Sequence, residues 1–512
     1  MCIDKNIRES ILKEEHPYIC IDASAGTGKT TIMVQKMFNK LIRRKLKHYQ
    51  KVVLITFTNF ATQQIRDKVQ EISEWDEYRE IYKSGLSNNI QIQTNNSFVL
   101  SEIIRPFLRD AYGKSFPDEK EIKQDFTKSK KFSTFEKGLK QLNKTGYLGS
   151  FWDNKKDFTF ELALKILRKS KNAQKYIETK FPIFFLDEYQ DTDPTMHDFF
   201  MFIKKRFKIS LFIVGDLKQA IYGFRGADKE IFKHLLRNKD FAHYKLYENF
   251  RSHPSIQSYV NLLTNGSEPE EKRILSNNVF LIEQEEYFRG IIMKSIKSDN
   301  IAVLTRTWRQ ARDKSKKLKK FDFTLIEEPP LNSDYPNFGI LQPFLKLYHN
   351  QKIGNNYSEY NVATDLILST NKKNINEIIK INNYINKNDP KAILKIAKLT
   401  ESNINNEESN LFFKSLNKKY QNYFSIKQPK RQIMTIHGSK GLEFDIVYID
   451  ADSFYYYEKF NRENHYVAIT RAKNKLVIEL NNKNYEEKLK ELNAFKYFKH
   501  LDGMSTLNWT IF

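Results

Sequence analysis

Ala23-Ser24-Ala25-Gly26-Thr27-Gly28-Lys29-Thr30 follows the apolar run Tyr18-Ile19-Cys20-Ile21. It precedes a segment in which Val34, Met37, Phe38 and Leu41 recur at helical spacing. A strand, a turn of small residues and a helix form the setting of a phosphate-cradling loop. Backbone N–H groups of such a turn converge on an anion at the positive end of the helix, Lys29 adds a point charge, and the Thr30 hydroxyl is a Mg²⁺ ligand. The reading predicts that residues 23 to 31, Ala23 through Thr31, hold the phosphates of a nucleoside triphosphate. The usual pattern opens with Gly, and here that position is Ala23.

Further apolar runs alternate with helical patterns on either side, as a parallel α/β sheet requires. Val52 to Phe57, Ile183 to Leu186 and Leu211 to Val214 belong with the first core. Ile301 to Leu304, Phe323 to Ile326, Ile433 to Ile436, Ile446 to Ile449 and Leu476 to Ile478 suggest a second. Each core is interrupted. Residues 97–178 are Lys-rich with helical runs such as Phe160, Leu162, Leu164, Ile166 and Leu167, and residues 335–428 carry Ile375, Ile378, Ile379 and Ile381 in an Asn- and Lys-rich context. The expected plan is a first core over 1–96 and 179–250, with a helical insertion at 97–178. A second core over 251–334 and 429–512 carries a reduced helical insertion at 335–428.

The chain has 512 residues and 40% hydrophobic content, enough for several domains with ample cores. Its 85 Lys and Arg against 62 Asp and Glu give a net charge of +23, which suggests a polyanionic partner such as nucleic acid. Cys2 and Cys20 are the only cysteines, too few for a disulfide framework or a zinc site. With no apolar leader and no run of membrane-spanning length, the expectation is a cytoplasmic protein without a membrane partner.

Five further segments carry chemistry. After Pro182-Ile183-Phe184-Phe185-Leu186 comes Asp187-Glu188-Tyr189-Gln190-Asp191, two adjacent acids at a strand's C-terminal end, where ligands sit in open α/β sheets. Asp187 suits Mg²⁺, and Glu188 suits the proton of an attacking water; the bland alternative is a solvated acidic turn. Val214-Gly215-Asp216-Leu217-Lys218-Gln219 leads into Tyr222, Phe224 and Arg225. Gln219 suits a γ-phosphate sensor, and the two aromatics either stack on bases or belong to the core. Glu248-Asn249-Phe250-Arg251-Ser252 and Tyr466-Val467-Ala468-Ile469-Thr470-Arg471 contribute one arginine each, by themselves as compatible with surface ion pairs as with catalysis. In Met434-Thr435-Ile436-His437-Gly438-Ser439-Lys440-Gly441-Leu442-Glu443, Glu443 suits a ribose hydroxyl, and His437 either lies on a DNA phosphate or is structural.

Taken in this order, the segments resemble the motif set of UvrD/Rep-type superfamily 1 helicases from Ala23 to Arg471. Thr56-Phe57-Thr58-Asn59 is similar to a DNA-proximal motif of that family, and Leu304-Thr305-Arg306 to the start of its second core. The resemblance implies two RecA-like parallel-sheet cores, ATP or another nucleoside triphosphate as substrate with Mg²⁺ as cofactor, and 3′ to 5′ movement on single-stranded DNA. It implies catalytic roles for Lys29, Glu188, Gln219, Arg251 and Arg471, a stacking face at Phe250, and DNA contacts at Thr58, Asn59, Thr94, Tyr222, Phe224, Arg225 and His437. Beyond the motifs, Ser101-Glu102-Ile103-Ile104-Arg105-Pro106-Phe107 and Glu463-Asn464-His465-Tyr466-Val467-Ala468 resemble the helicase-like subunits of the bacterial Gabija antiphage system. That implies hydrolysis on sensing DNA ends, beside a GajA-like OLD-family nuclease. The family usually reads adenine with a Gln upstream of the loop, but no Gln precedes Gln35, so ATP and GTP are both expected substrates. Phe224 and Phe250 stand where the family often has Trp and Tyr. The competing readings are a processive repair helicase and, outside the enzymes, a nucleotide-switched DNA-binding scaffold.

Overall fold

The computed structural model describes residues 4–501 except 44–45, 58, 84–88, 120, 125–130, 153–155, 221–225, 266–277, 284, 286–287, 289, 291, 293–298, 333–334, 336, 367, 369, 401, 403, 405 and 457–458. The chain divides into two compact units. The first comprises Met1–Ser24, Gly28–Glu248 and Pro329–Lys418, and the second Ala25–Thr27, Asn249–Glu328 and Lys419–Phe512.

The first unit is built on a six-stranded sheet, formed by β1 (Tyr18–Ala23), β2 (Val52–Thr56), β3 (Ile90–Thr94), β4 (Ile183–Leu186), β5 (Ser210–Gly215) and β6 (Ala242–Leu246). All neighbours pair in parallel in the order β6-β1-β5-β4-β2-β3. Its inner strands are apolar because both faces are covered. In β1, Ile19 and Ile21 join one buried cluster while Cys20 joins the cluster on the opposite face. The first two helices, α1 (Lys5–Lys13) and α2 (Lys29–Arg43), feed the same face as Ile19. Register then does the positioning. Asp22 pairs with Gly215, Ile213 with Leu186, and Leu186 with Ile55, so the loops leaving β1, β5 and β4 emerge side by side at one sheet edge.

Among its described residues the segment between β3 and β4 is mainly helical, with four two-residue strands. Its helix Phe158–Lys169 is buried nearly all round, at Phe160, Leu162, Leu164, Ile166 and Leu167 among others. Residues 329–418 also cluster with the first unit and are helical throughout their regular structure. In helix Lys372–Asn386, Ile375, Ile378, Ile381 and Ile385 form the buried stripe, whereas Ile379 is exposed. The four-residue step from 375 to 379 carries Ile379 off a stripe set by 375, 378 and 381.

The second unit carries a seven-stranded sheet of β7 (Val279–Ile282), β8 (Ile301–Thr305), β9 (Thr324–Leu325), β10 (Arg431–Thr435), β11 (Phe444–Asp450), β12 (Ala472–Glu479) and β13 (Lys499–Leu501). It too is parallel throughout, in the order β9-β10-β8-β11-β12-β7-β13. Two parallel α/β sheets are the architecture that the apolar runs predict.

Two helix caps in the first unit lie close enough to couple. Asp157 caps Phe158–Lys169 through Thr159 N–H at 2.7 Å, and Asp193 caps Pro194–Phe207 through Thr195 N–H at 2.7 Å. Burial, and then the neighbouring Asp157 carboxylate, push Asp193 up to about 6. Between the ordinary carboxylate range and that value the folded state holds a proton that the unfolded state has lost. This contribution therefore favours the fold most at low pH and fades as pH rises through about 6. Asp193→Asn keeps the acceptor oxygen and removes the proton. Its thermal midpoint should gain on wild type between pH 4 and 7, and parallel midpoint curves would exclude the coupling.

Candidate nucleotide-binding site

The phosphate loop has the backbone its residues predict. Gly26 and Gly28 adopt φ of +75° and +73°, a conformation that L side chains rarely take, and α2 starts at Lys29 directly after the turn. The Lys29 side chain is only 12% exposed, and its ammonium faces Asp216 Oδ2 at 3.8 Å. Among the described residues Lys29 Nζ has no hydrogen-bond partner. A buried ammonium with donors to spare, at the end of a turn with the N–H-rich αL backbone, fits a polyphosphate.

The acids at the end of β4 sit beside it in the same unit. Asp187 is buried, its N–H donating to Ile55 O at 3.0 Å, while its Oδ1 accepts the Glu188 N–H at 2.9 Å. Glu188 is half-buried and lies at φ +52°, ψ 39°, the left-handed region that a non-glycine residue enters at a cost of roughly 1–2 kcal/mol. Gln190 ties the site together. Its Nε2 donates to the Glu188 carboxylate, and its Oε1 accepts the Asp216 N–H at 2.8 Å. Asp216 Oδ2 in turn accepts from Gln219 Nε2 at 2.7 Å. A side chain at Gly215 would press within 2.7 Å of the Phe232 ring and 2.9 Å of Gln190 Oε1, so it would have to displace the group that makes this bridge. Behind the loop, burial and the nearby Asp216 carboxylate raise the pKa of Asp22.

Asp216 and Gln190 lie within quoted motifs, but nothing in their spacing assigns them these bonds. Among the described residues no group of three or more His, Cys, Asp or Glu side chains could hold a metal. Mg²⁺ bound to a nucleotide needs no such group: it retains waters and takes phosphate oxygens, with one or two protein oxygens completing its shell.

In the second unit Arg251 and Glu443 are paired. Glu443 Oε1 accepts from Arg251 Nε at 2.6 Å and lies 2.6 Å from Nη2, while Nη1 reaches Thr470 O at 3.3 Å. Arg471 is buried, donating to Val467 O at 3.0 Å, Leu442 O at 3.2 Å and Thr470 Oγ1 at 3.3 Å. Phe250 is 58% exposed. Ala25–Thr27 cluster with this unit: Ala25 N–H donates to Tyr466 Oη at 3.1 Å, and a side chain at Gly26 would collide with Asn249 Oδ1.

Of the expected DNA contacts, Thr58, Tyr222, Phe224 and Arg225 lie outside the described residues, as does the side chain of Asn59. Thr94 is buried and caps the helix Asn95–Val99 by accepting Ser97 N–H at 3.3 Å. His437 is half-buried, just beyond the end of β10.

Residues 4–162 and 114–241 match the UvrD/REP helicase N-terminal domain, and residues 369–483 match the UvrD-like helicase C-terminal domain. The Gabija protein GajB of Bacillus cereus (strain VD045) is 34% identical over 508 residues, covering 95% of this chain and 97% of GajB. The chain belongs to the UvrD-like helicase family. Within that family the chain also resembles the ATP-dependent DNA helicase PcrA of Staphylococcus aureus, 25% identical over 53% of this chain and 41% of PcrA. The RecBCD enzyme subunit RecB of Buchnera aphidicola is 30% identical over 45% of this chain and 18% of RecB. A UvrD-like helicase is an ATP-hydrolysing, DNA-binding enzyme that uses a nucleoside triphosphate with Mg²⁺, and the phosphate loop with its acidic neighbours is the fitting equipment. Among the described residues no helix is long and apolar enough to cross a membrane.

Proposed function

We propose that this UvrD-like chain is a DNA-stimulated nucleoside triphosphatase of antiphage defence. It works in the cytoplasm beside a GajA-like OLD-family nuclease and hydrolyses ATP, GTP and their deoxy forms when DNA ends are present. The observation that carries the reading is the extent of the similarity to GajB, which runs through 97% of that protein, where similarity to PcrA stops at 41% of its length.

The first unit supplies the chemistry. The Lys29 ammonium neutralises charge on the β- and γ-phosphates, and Gln219, held by Asp216, stands ready to sense the γ-phosphate. Glu188 takes a proton from the attacking water as its oxygen bonds to the γ-phosphorus and the bond to the β-phosphate oxygen breaks. Thr30 and Asp187 would hold Mg²⁺, which would draw charge from the same phosphates. Arg251 and Arg471 are assigned by the family resemblance to the charge of the transition state.

Hydrolysis measured with and without single-stranded DNA ends tests this reading. Stimulation of about tenfold or more is expected, and unstimulated turnover would remove DNA sensing from the proposal. With a net charge of +23, binding to single strands should weaken about a hundredfold or more between roughly 50 and 200 mM salt. Filter binding across that range checks it; a flat profile would contradict an electrostatic DNA track.

A further inference from the structure

The N-terminal helix α1 is anchored at both ends, to the residues after β6 and to α2, and it brings an arginine beside the phosphate loop. At its start the Asp4 carboxylate is fully buried, and Oδ2 accepts the backbone N–H groups of Tyr247 at 2.8 Å and Glu248 at 2.7 Å, just past β6. At its far end the ammonium of Lys36, on α2, donates to Leu12 O at 2.9 Å and to Glu14 O, satisfying carbonyls that a helix C-terminus leaves open. Ile11 is buried between them, with Ile7 and Leu12 packed on the same core.

The residue one turn beyond Asp4 is Arg8. Its guanidinium lies where a side chain on Gly28 would meet it, 3.6 Å from Nη1 and 3.9 Å from Nη2, with Thr31 Cβ 3.9 Å from the same point. Lys29 faces Asp216 on its own side. Arg8 therefore flanks the loop near Thr31, and a triphosphate whose β,γ-end lies at Lys29 extends its α-phosphate, sugar and base toward the other end of the turn.

We propose that Arg8 reads the base, donating to the N7 and O6 acceptors of a purine. This deepens the nucleotide-site reading above and rests on it. A guanidinium offers donors alone, arranged as a planar fork. Guanine presents two acceptors, N7 and O6, to such a fork; adenine presents N7 beside an amino donor, and pyrimidines present no N7. The site favours purines over pyrimidines and accepts guanine at least as well as adenine.

The test measures Kd by competition against fluorescent mant-GTP on the full chain, using GTP, 7-deaza-GTP, ATP and CTP with wild type, Arg8→Ala and Arg8→Gln. Replacing N7 by carbon should weaken GTP about tenfold in wild type and leave the affinity of Arg8→Ala unchanged. Arg8→Gln, whose amide both donates and accepts, should shift the ATP-to-GTP preference about tenfold toward ATP. Equal losses for CTP and GTP in Arg8→Ala would make Arg8 a phosphate contact and overturn the proposal. Equal wild-type affinity for GTP and 7-deaza-GTP would also overturn it, and that comparison needs no variant to fold. Lys29→Ala separates the two levels. If it abolishes mant-GTP binding while N7 has no effect, the Arg8 assignment alone falls; if it binds mant-GTP normally, the nucleotide site falls and this proposal with it.

Discussion

Glu188→Gln is expected to bind nucleotide as wild type does and to lower kcat by about 10²–10⁴-fold, the range a positioned general base contributes. The geometry makes this substitution clean. Gln190 Nε2 donates to the Glu188 carboxylate, and the amide oxygen of the variant can accept the same bond. The backbone at φ +52° is untouched, so the strain stored there is common to both proteins, and the melting temperature should move little. What disappears is the basicity. Lys29→Ala should fail differently: losing the buried ammonium beside Asp216 removes a phosphate charge partner, so affinity should fall before turnover is in question. Titration with a fluorescent nucleotide and steady-state hydrolysis with saturating DNA distinguish the two. Glu188→Gln turning over at a near-normal rate would move the base elsewhere.

The parts of this site legible in the sequence are those written in contiguous residues. The loop from Ala23 to Thr30, the acids closing the Ile183–Leu186 run and the Gly215-Asp216 turn each combine an apolar strand with an unusual polar end, and the structure places them on one sheet edge. Strands buried on both faces read the same way. Edge strands do not: Ile90–Thr94 and Ala242–Leu246 bound the first sheet, and each interleaves polar side chains that only a half-buried position tolerates.

The remaining features are tertiary. Gln190 reaches the Asp216 backbone across 26 residues of sequence, and Asp4 reaches Tyr247 across 243. No local pattern encodes either bond, and the second of them anchors the helix that carries Arg8 beside Gly28. The register of β1, β4 and β5, set by burial on both faces, is what turns three separate motifs into one site.

Arg251→Ala should lower kcat by about 10³-fold or more with little change in KM, as expected for a charge that meets the γ-phosphate only as the transition state forms. Arg251→Lys should not restore it, because the fork that engages Glu443 through Nε and Nη2 has no counterpart in an ammonium. The partner then becomes informative. Sequence alone suits Glu443 to a ribose hydroxyl, yet its Oε1 engages Arg251 Nε and Nη2 at 2.6 Å, which favours a positioning role. The two roles predict different kinetics. If Glu443 orients Arg251, Glu443→Ala should cost about tenfold in kcat, equally for ATP and dATP, and adding it to Arg251→Ala should cost nothing more, since both changes remove one interaction. If Glu443 accepts from the ribose 2′-hydroxyl, the loss should fall on KM for ATP, spare dATP and add fully to that of Arg251→Ala. The ATP-to-dATP ratio of kcat/KM in the single variant, with the additivity of the double, decides between them.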